Sequence, residues 1–248
     1  VTAITVRRHD WRPAIRRLPA GEAVAAIGDV HGQDDLFAAL MDAVAEEISA
    51  ASVATFVQLG DLVDRGPKAI EALARARRGL PGATSVTLMG NHEERLLRAT
   101  LGGDPEERAL WLNFGGDQTI AEAGVDPSRP DWPEAFAAAL GRDTLDWLVG
   151  LPKSWRVGDI LFAHAGIDPA RSLAEQDPHT LMWVRRPWLD SPGPYPEGVA
   201  VLHGHTPREV VDLTHPHRVN LDTGAFRTGL LSGLVVLGDR MRVVQAAR

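Results

Sequence analysis

Five short polar clusters, each closing an apolar run, constrain this chain more than any other feature. The runs Val24–Ile27, Val53–Leu59 and Val86–Met89 are followed by Gly28-Asp29-Val30-His31-Gly32, by Gly60-Asp61-Leu62-Val63-Asp64-Arg65-Gly66 and by Gly90-Asn91-His92-Glu93. Two later runs close on His164-Ala165-Gly166 and His203-Gly204-His205. Asp29, Asp61 and Asn91 lie 32 and 30 residues apart, about one strand–helix–strand unit each. Parallel neighbouring strands of that kind bring all three side chains to one sheet edge, at the carboxyl ends where open α/β sheets place their ligand sites.

The stretches between the runs read as helices, so residues 23–101 predict alternating strands and helices. In Asp34 to Ile48, Leu36, Phe37, Leu40, Met41, Val44 and Ile48 recur at helical spacing. Pro67 to Arg78 and Glu93 to Leu101 read as the next two helices. Residues 104–150 carry helix-like pieces without a strand between them and read as a helical insert. Strands resume at Ile160–Ala163, Val199–Leu202, Arg218–Leu221, Leu230–Leu237 and Met241–Val244. The expected organisation is an N-terminal arm over 1–22, its arginines solvated, and a single α/β (α+β) domain over 23–248.

Composition removes several chemistries. With no cysteine in 248 residues there is no thiolate nucleophile, disulfide or cysteine zinc site. A formal charge of -7 is the wrong sign for extended nucleic-acid binding, so phosphate recognition must be local. The longest apolar stretch, Gly229 to Gly238, is too short to span a bilayer, and a soluble cytoplasmic protein without membrane contact is expected.

Carboxylate, amide and imidazole donors without sulfur suit Mn²⁺, Fe²⁺ or Zn²⁺. Arg65 is close enough to the second cluster to reach a phosphate oxygen with its planar fork. His203 alternates away from His205 on an extended strand and reads as packing. His9, His179, His215 and His217 read as surface residues, and most tryptophans as core, although Trp111, Trp132, Trp147, Trp183 and Trp188 could border a groove near the insert.

Together the five clusters resemble the signature blocks of the PPP-type metallophosphoesterases, nearest the bacterial and phage serine/threonine protein phosphatases. The resemblance covers roughly Ala23 to Gly238, with the insert unmatched. It implies a calcineurin-like β-sandwich flanked by helices and two divalent metal ions at its edge, Mn²⁺ first, with Fe or Zn admitted. Asp29, His31 and Asp61 would hold one ion, and Asp61, Asn91, His164 and His205 the other, with Asp61 bridging. A water between the ions would be the nucleophile. His92, oriented by Asp64, would be the general acid; Arg65 and Arg185, together with Asn91, would bind phosphate, Arg186 being the less favoured second arginine.

The substrate expected first is a phosphoprotein or phosphopeptide, with small phosphoesters also admitted. The alternative is diadenosine tetraphosphate or a related nucleotide; relatives with that activity usually carry Gln where His31 stands and commonly lack an acid at Asp64. An inactive metal-holding binding module is the remaining alternative. Leu221 to Phe226 does not match the aromatic loop that toxins engage in eukaryotic members.

Overall fold

The protein is described by a computed structural model covering residues 3–248. Two sheets lie face to face. The larger is built from β1 (Thr5–Arg8), β2 (Arg12–Pro13), β3 (Glu22–Ile27), β4 (Val53–Gln58), β5 (Thr84–Thr87), β10 (Leu230–Leu237) and β11 (Arg240–Ala247); the smaller from β6 (Ser154–Val157), β7 (Ile160–Ala163), β8 (Ala200–His203) and β9 (Arg218–Asn220). Strand order is β1-β11-β10-β3-β4-β5 in the first, with β2 beside β11, and β6-β7-β8-β9 in the second. β3, β4 and β5 are parallel, as are β7, β8 and β9.

Alternation along the strands separates the layers. Val24, Ala26, Val57 and Leu59 turn inward to meet Ile160, Phe162, Leu202 and Val219 of the second sheet. Ala23, Ala25 and Ile27 point the other way, onto helix α1 (Asp34–Ile48), which buries Leu36, Phe37, Leu40, Met41, Val44 and Ile48. Helix α2 (Ala69–Arg78) is locked to α1 by a two-pronged pair, Arg75 Nε and Nη2 donating to Asp34 Oδ1 and Oδ2 at 2.6 and 2.8 Å. Helix α3 (Asn91–Leu101) starts directly at the third polar cluster. The expected sandwich flanked by helices is thus the observed architecture.

The insert is wholly helical: α4 (Pro105–Trp111), α5 (Asp117–Glu122), α6 (Trp132–Leu140) and α7 (Arg142–Val149). A wide turn over Leu112–Gly116 joins the first two, with Gly115 at φ 98°. Trp111, Trp132 and Phe136 pack in its centre, so two of the five tryptophans considered for a groove are core. Trp188 is also core, beneath the second sheet, where helix α8 (Pro178–Trp183) buries Leu181; the short α9 (Ala225–Thr228) precedes β10.

Two expectations need correction. The arm over 1–22 is not a solvated tail: its described part adds β1 and β2 to the large sheet, and Arg8 pairs with Glu46 and Glu47 on α1 while Arg242 also grips Glu47. Val1 and Thr2 lie outside the described residues. The edge pairing explains why β11 runs longer than its apolar stretch, because both its sides are hydrogen-bonded. His215 and His217 are half-buried around the Tyr195 ring rather than free on the surface. His9 is likewise half-buried, bonded to Gln245.

Candidate active site

The carboxyl ends of β3, β4 and β5, together with those of β7 and β8, converge on one buried polar pocket. The loops there are stitched to one another. Val30 and His31 donate their backbone N–H groups to the Asp61 carbonyl at 3.0 and 2.9 Å. Asp29 accepts the backbone N–H of His205 at 3.0 Å, linking the first strand's loop to the last cluster. Five non-glycine residues here take left-handed backbone: His31 (φ 44°), Asp61 (54°), Asp64 (72°), Arg65 (67°) and His205 (66°). Gly90 leaves room for the Asp61 carboxylate, which a Cβ at that position would overlap.

Glu93, which closes the third polar cluster but was given no role by the sequence, organises this backbone. Its buried carboxylate accepts N–H groups from Asp61 (2.8 Å), Leu62 (2.7 Å), Val63 (3.3 Å) and Gly90 (3.0 Å). The available signal was its place three residues after Gly90, the reciprocal position of a helix N-terminal cap.

Each imidazole is oriented by what its other nitrogen does. His31 Nδ1 bonds to the Val63 carbonyl and His164 Nδ1 to the Leu59 carbonyl, both at 2.8 Å, so both Nε2 atoms turn inward. They lie 3.5 and 3.3 Å from the two Asp61 carboxylate oxygens. Asn91 Oδ1 meets His164 Nε2 at 2.9 Å and His205 Nδ1 at 2.7 Å. Two three-residue sets therefore share Asp61: His31 with His92, and His164 with His205. Asp29 stands outside both sets, against the His205 backbone, while His92 stands inside the first.

Electrostatics in this closed space are mutual. Burial would raise Asp61, but His164, His92 and His31 around it hold its carboxyl well below the ordinary range. Burial, reinforced by Asp222, pushes Asp29 well up. Burial lowers His31, and with His164 it takes His205 down to about 3, leaving both rings neutral. The neutral rings of His31 and His205, the His164 ring that Asp61 and Asp29 raise to about 10, an amide oxygen and carboxylates aimed at one space form a donor set that divalent cations fit.

His92 behaves differently. Burial opposes its charge, yet Asp61 and Asp64 overcome this and raise its pKa. Its Nδ1–H donates to Asp64 Oδ2 at 2.6 Å. Asp64 in turn accepts Trp111 Nε1–H at 2.9 Å and the Thr119 hydroxyl at 2.8 Å, two insert residues that no sequence motif marked. Arg65 donates to His31 Nε2 (3.1 Å) and His92 Nε2 (2.9 Å), with Phe226 beneath its guanidinium at 4.8 Å.

Outside these residues a cleft of about 490 Å³ opens, lined by Arg65, His92, Phe114, Trp183, Arg185 and Arg186 among others. Arg186 also pairs with exposed Asp190 at 3.3 Å. His179, read as a surface residue, lies exposed on the cleft wall, stacked on Trp183 at 5.9 Å. His203 is fully buried, bonded through Nδ1 to the Gly204 carbonyl, and faces away from the cluster toward Trp188.

Comparison with known proteins agrees with this picture. The chain is 30% identical over 190 residues, 75% of its length, to a protein of Paracidovorax citrulli named bis(5'-nucleosyl)-tetraphosphatase, symmetrical. Four further bacterial relatives bear that name. The chain spans about half the length of these relatives, 58% of the first and 45% of the next. It is also 30% identical over 213 residues to serine/threonine-protein phosphatase 1 of Salmonella typhimurium, covering 84% of this chain and 89% of that one. A solved structure of a candidate diadenosine tetraphosphatase superposes with a TM-score of 0.64 at 22% identity, covering 92% of this chain and 95% of the other, and so shares the fold. The sequence pattern of the calcineurin-like phosphoesterases matches residues 23–229, the span that carries all five clusters, the smaller sheet and the parallel strands of the larger one. The PPP-type resemblance therefore holds, and the chain belongs to the calcineurin-like phosphoesterase family of metal-dependent hydrolases.

Proposed function

We propose that this chain hydrolyses the phosphoanhydride of dinucleoside polyphosphates, with residues 23–248 acting as one domain. The observation that carries the reading is the composition of the cleft: three arginines and two aromatic rings, with no carboxylate among its lining residues. A single phosphomonoester would be served by Arg65 and one further arginine. A chain of phosphates flanked by nucleosides uses the additional cation and the aromatic walls. The five relatives named as tetraphosphatases support the same substrate class.

In this reading Asp29, His31 and Asp61 hold one divalent cation, and Asp61, Asn91, His164 and His205 the other, Mn²⁺ being the ion such oxygen and imidazole donors bind reversibly. Two cations so held supply Lewis-acid polarisation of the phosphate and acidify water. Arg65 grips the non-bridging oxygens of the attacked phosphate, Asn91 borders it, and Arg185 holds its neighbour. His92, kept in one orientation by Asp64, delivers a proton to the leaving oxygen.

That last feature favours a second reading, phosphomonoester hydrolysis with a phosphoprotein as substrate. A nucleoside diphosphate leaves readily without a proton, whereas a serine alkoxide needs one, and the His92–Asp64 contact at 2.6 Å suits the second case. The Salmonella phosphatase, matched over 89% of its length, supports it. The deciding experiment compares kcat/KM for diadenosine tetraphosphate with that for a panel of phosphoserine and phosphothreonine peptides, Mn²⁺ being supplied. A preference for the dinucleotide of about tenfold or more is expected. The reverse preference transfers the assignment to the phosphomonoester reading, and hydrolysis of neither substrate refutes both.

A further inference from the structure

We infer that the open face of Phe114 is a base-binding subsite, a stacking platform for the nucleobase of a nucleoside polyphosphate; the inference rests on the nucleotide reading above. A lone exposed apolar ring needs no function. Phe114 is set apart by how it is held. It is 44% exposed and lines the cleft. The Arg95 guanidinium covers one face, 4.8 Å from the ring centre, and also lies 4.8 Å from the Trp183 ring. His179 is stacked in turn on Trp183, with planes 14° apart. Phe114, Arg95, Trp183 and His179 thus form a connected series of planar groups along one wall.

The series is anchored on both sides. Trp183 Nε1–H donates to Glu94 Oε2 at 2.6 Å, and Arg95 Nη1 lies 3.6 Å from Glu107. Arg95 Nε is buried without a hydrogen-bond partner and Nη1 has only the long ion pair with Glu107, so the guanidinium is held chiefly against the two rings. The turn bearing Phe114 is pressed onto the phosphate-binding loop, where Arg65 N–H donates to the Gly115 carbonyl at 3.3 Å. The Phe114 ring centre is 6.5 Å from that of His92. A base on the open face of Phe114 would lie beside phosphates running across Arg65 toward Arg185 and Arg186. Stacking reads a π-face that every base presents, so the subsite does not select one particular base, with purines preferred for their area.

The test is titration calorimetry of ADP and of inorganic pyrophosphate on the Mn²⁺-loaded protein, as wild type and as the variants Phe114→Ala, Phe114→Leu and Phe114→Trp. Loss of a stacking face should weaken ADP about tenfold in the Ala and Leu variants and leave pyrophosphate within about twofold, while Trp restores ADP. Equal weakening of both ligands, unchanged ADP affinity in the Ala variant, or wild-type affinity in the Leu variant would overturn the subsite. Failure of the wild type to hydrolyse diadenosine tetraphosphate would instead remove the substrate assignment, while the ADP-to-pyrophosphate comparison still reads the ring by itself.

Discussion

Replacing Asp64 by Asn tests whether the helical insert takes part in the chemistry. The Asp64 carboxylate is fully buried and accepts three hydrogen bonds, from His92, Trp111 and Thr119, while its backbone N–H donates to Thr119 Oγ1 at 3.0 Å. In the variant the amide oxygen can still accept from His92 and Trp111. Its NH₂ then faces Thr119 Oγ1, which already receives the backbone N–H and must turn its own hydrogen away from any acceptor. Weakening of the charged bonds, about 1 kcal/mol, and one orphaned hydroxyl, about 1–3 kcal/mol, give a loss of about 2–4 kcal/mol. For a chain of this size that lowers the thermal midpoint by about 5–15 °C. The chemical effect is separate. Without the Asp64 charge the pKa of His92 falls, and a phosphoserine peptide, whose leaving group needs the proton, should lose about 10²-fold in kcat. Diadenosine tetraphosphate should lose less than about tenfold. Single-turnover assays on both substrates, with metal content measured by elemental analysis, check this. Equal losses on both with metal retained would refute the proton-donor role, and loss of metal would make His92 and Asp64 part of the ion-binding set.

Other perturbations probe different parts of the structure. Asp61→Ala should abolish most activity and lower metal content at the same time, since Asp61 touches both donor sets; tight metal and normal turnover in the variant would contradict a shared carboxylate. Gly90→Ala drives a methyl group into the Asp61 carboxylate, and a destabilisation of about 2 kcal/mol or more is expected in urea denaturation. Glu122 accepts the Ile70 backbone N–H at 3.0 Å, and burial together with a hydrogen bond shared with Glu71 pushes its carboxyl up to about 7. Because the folded pKa exceeds the unfolded value of 4.5, stability is greatest below 4.5 and declines as pH rises toward 7. With Glu122 only half-buried the decline is about 1 kcal/mol, and it should be absent in Glu122→Gln; an unchanged pH profile in that variant would count against it.

The clusters at strand ends were legible because glycine and charged side chains interrupt apolar runs at fixed intervals, and topology alone brings Asp29, Asp61 and Asn91 together. β7 to β10 were legible for a related reason, their apolar runs being bounded by polar turns. β1 and β2 were not. Arg7, Arg8 and Arg12 read as solvated, yet the backbone there pairs with β11 and the side chain of Arg8 reaches outward to Glu46 and Glu47. Hydrophobic periodicity says nothing about a polar edge strand. In the site, the residues that chemistry demands were visible, whereas those that hold them were not. Glu93, Trp111 and Thr119 act on atoms 30 to 55 positions away in the chain, contacts that no local pattern of one sequence encodes, the capping position of Glu93 marking only its bond to Gly90. Phe226 shows the same limit, because its stretch matched no expected motif and yet it lies beneath Arg65.

The left-handed backbone of His31, Asp61, Asp64, Arg65 and His205 sets the terms on which this protein could be made more heat-resistant. Each such residue holds a conformation that disfavours a Cβ by about 1–2 kcal/mol, and glycine would relieve it. A library selected for survival at high temperature alone could trade that strain for glycine only where the side chain's own buried hydrogen bonds are worth less, which excludes Asp64 with its three, and each such trade would remove part of the proposed site. Selection that also demands turnover would have to find its gains elsewhere, in the sandwich core, the insert or the edge strands. Positions where the strain outweighs the side chain's bonds thus mark where thermal fitness and catalytic fitness would pull the same codons in opposite directions.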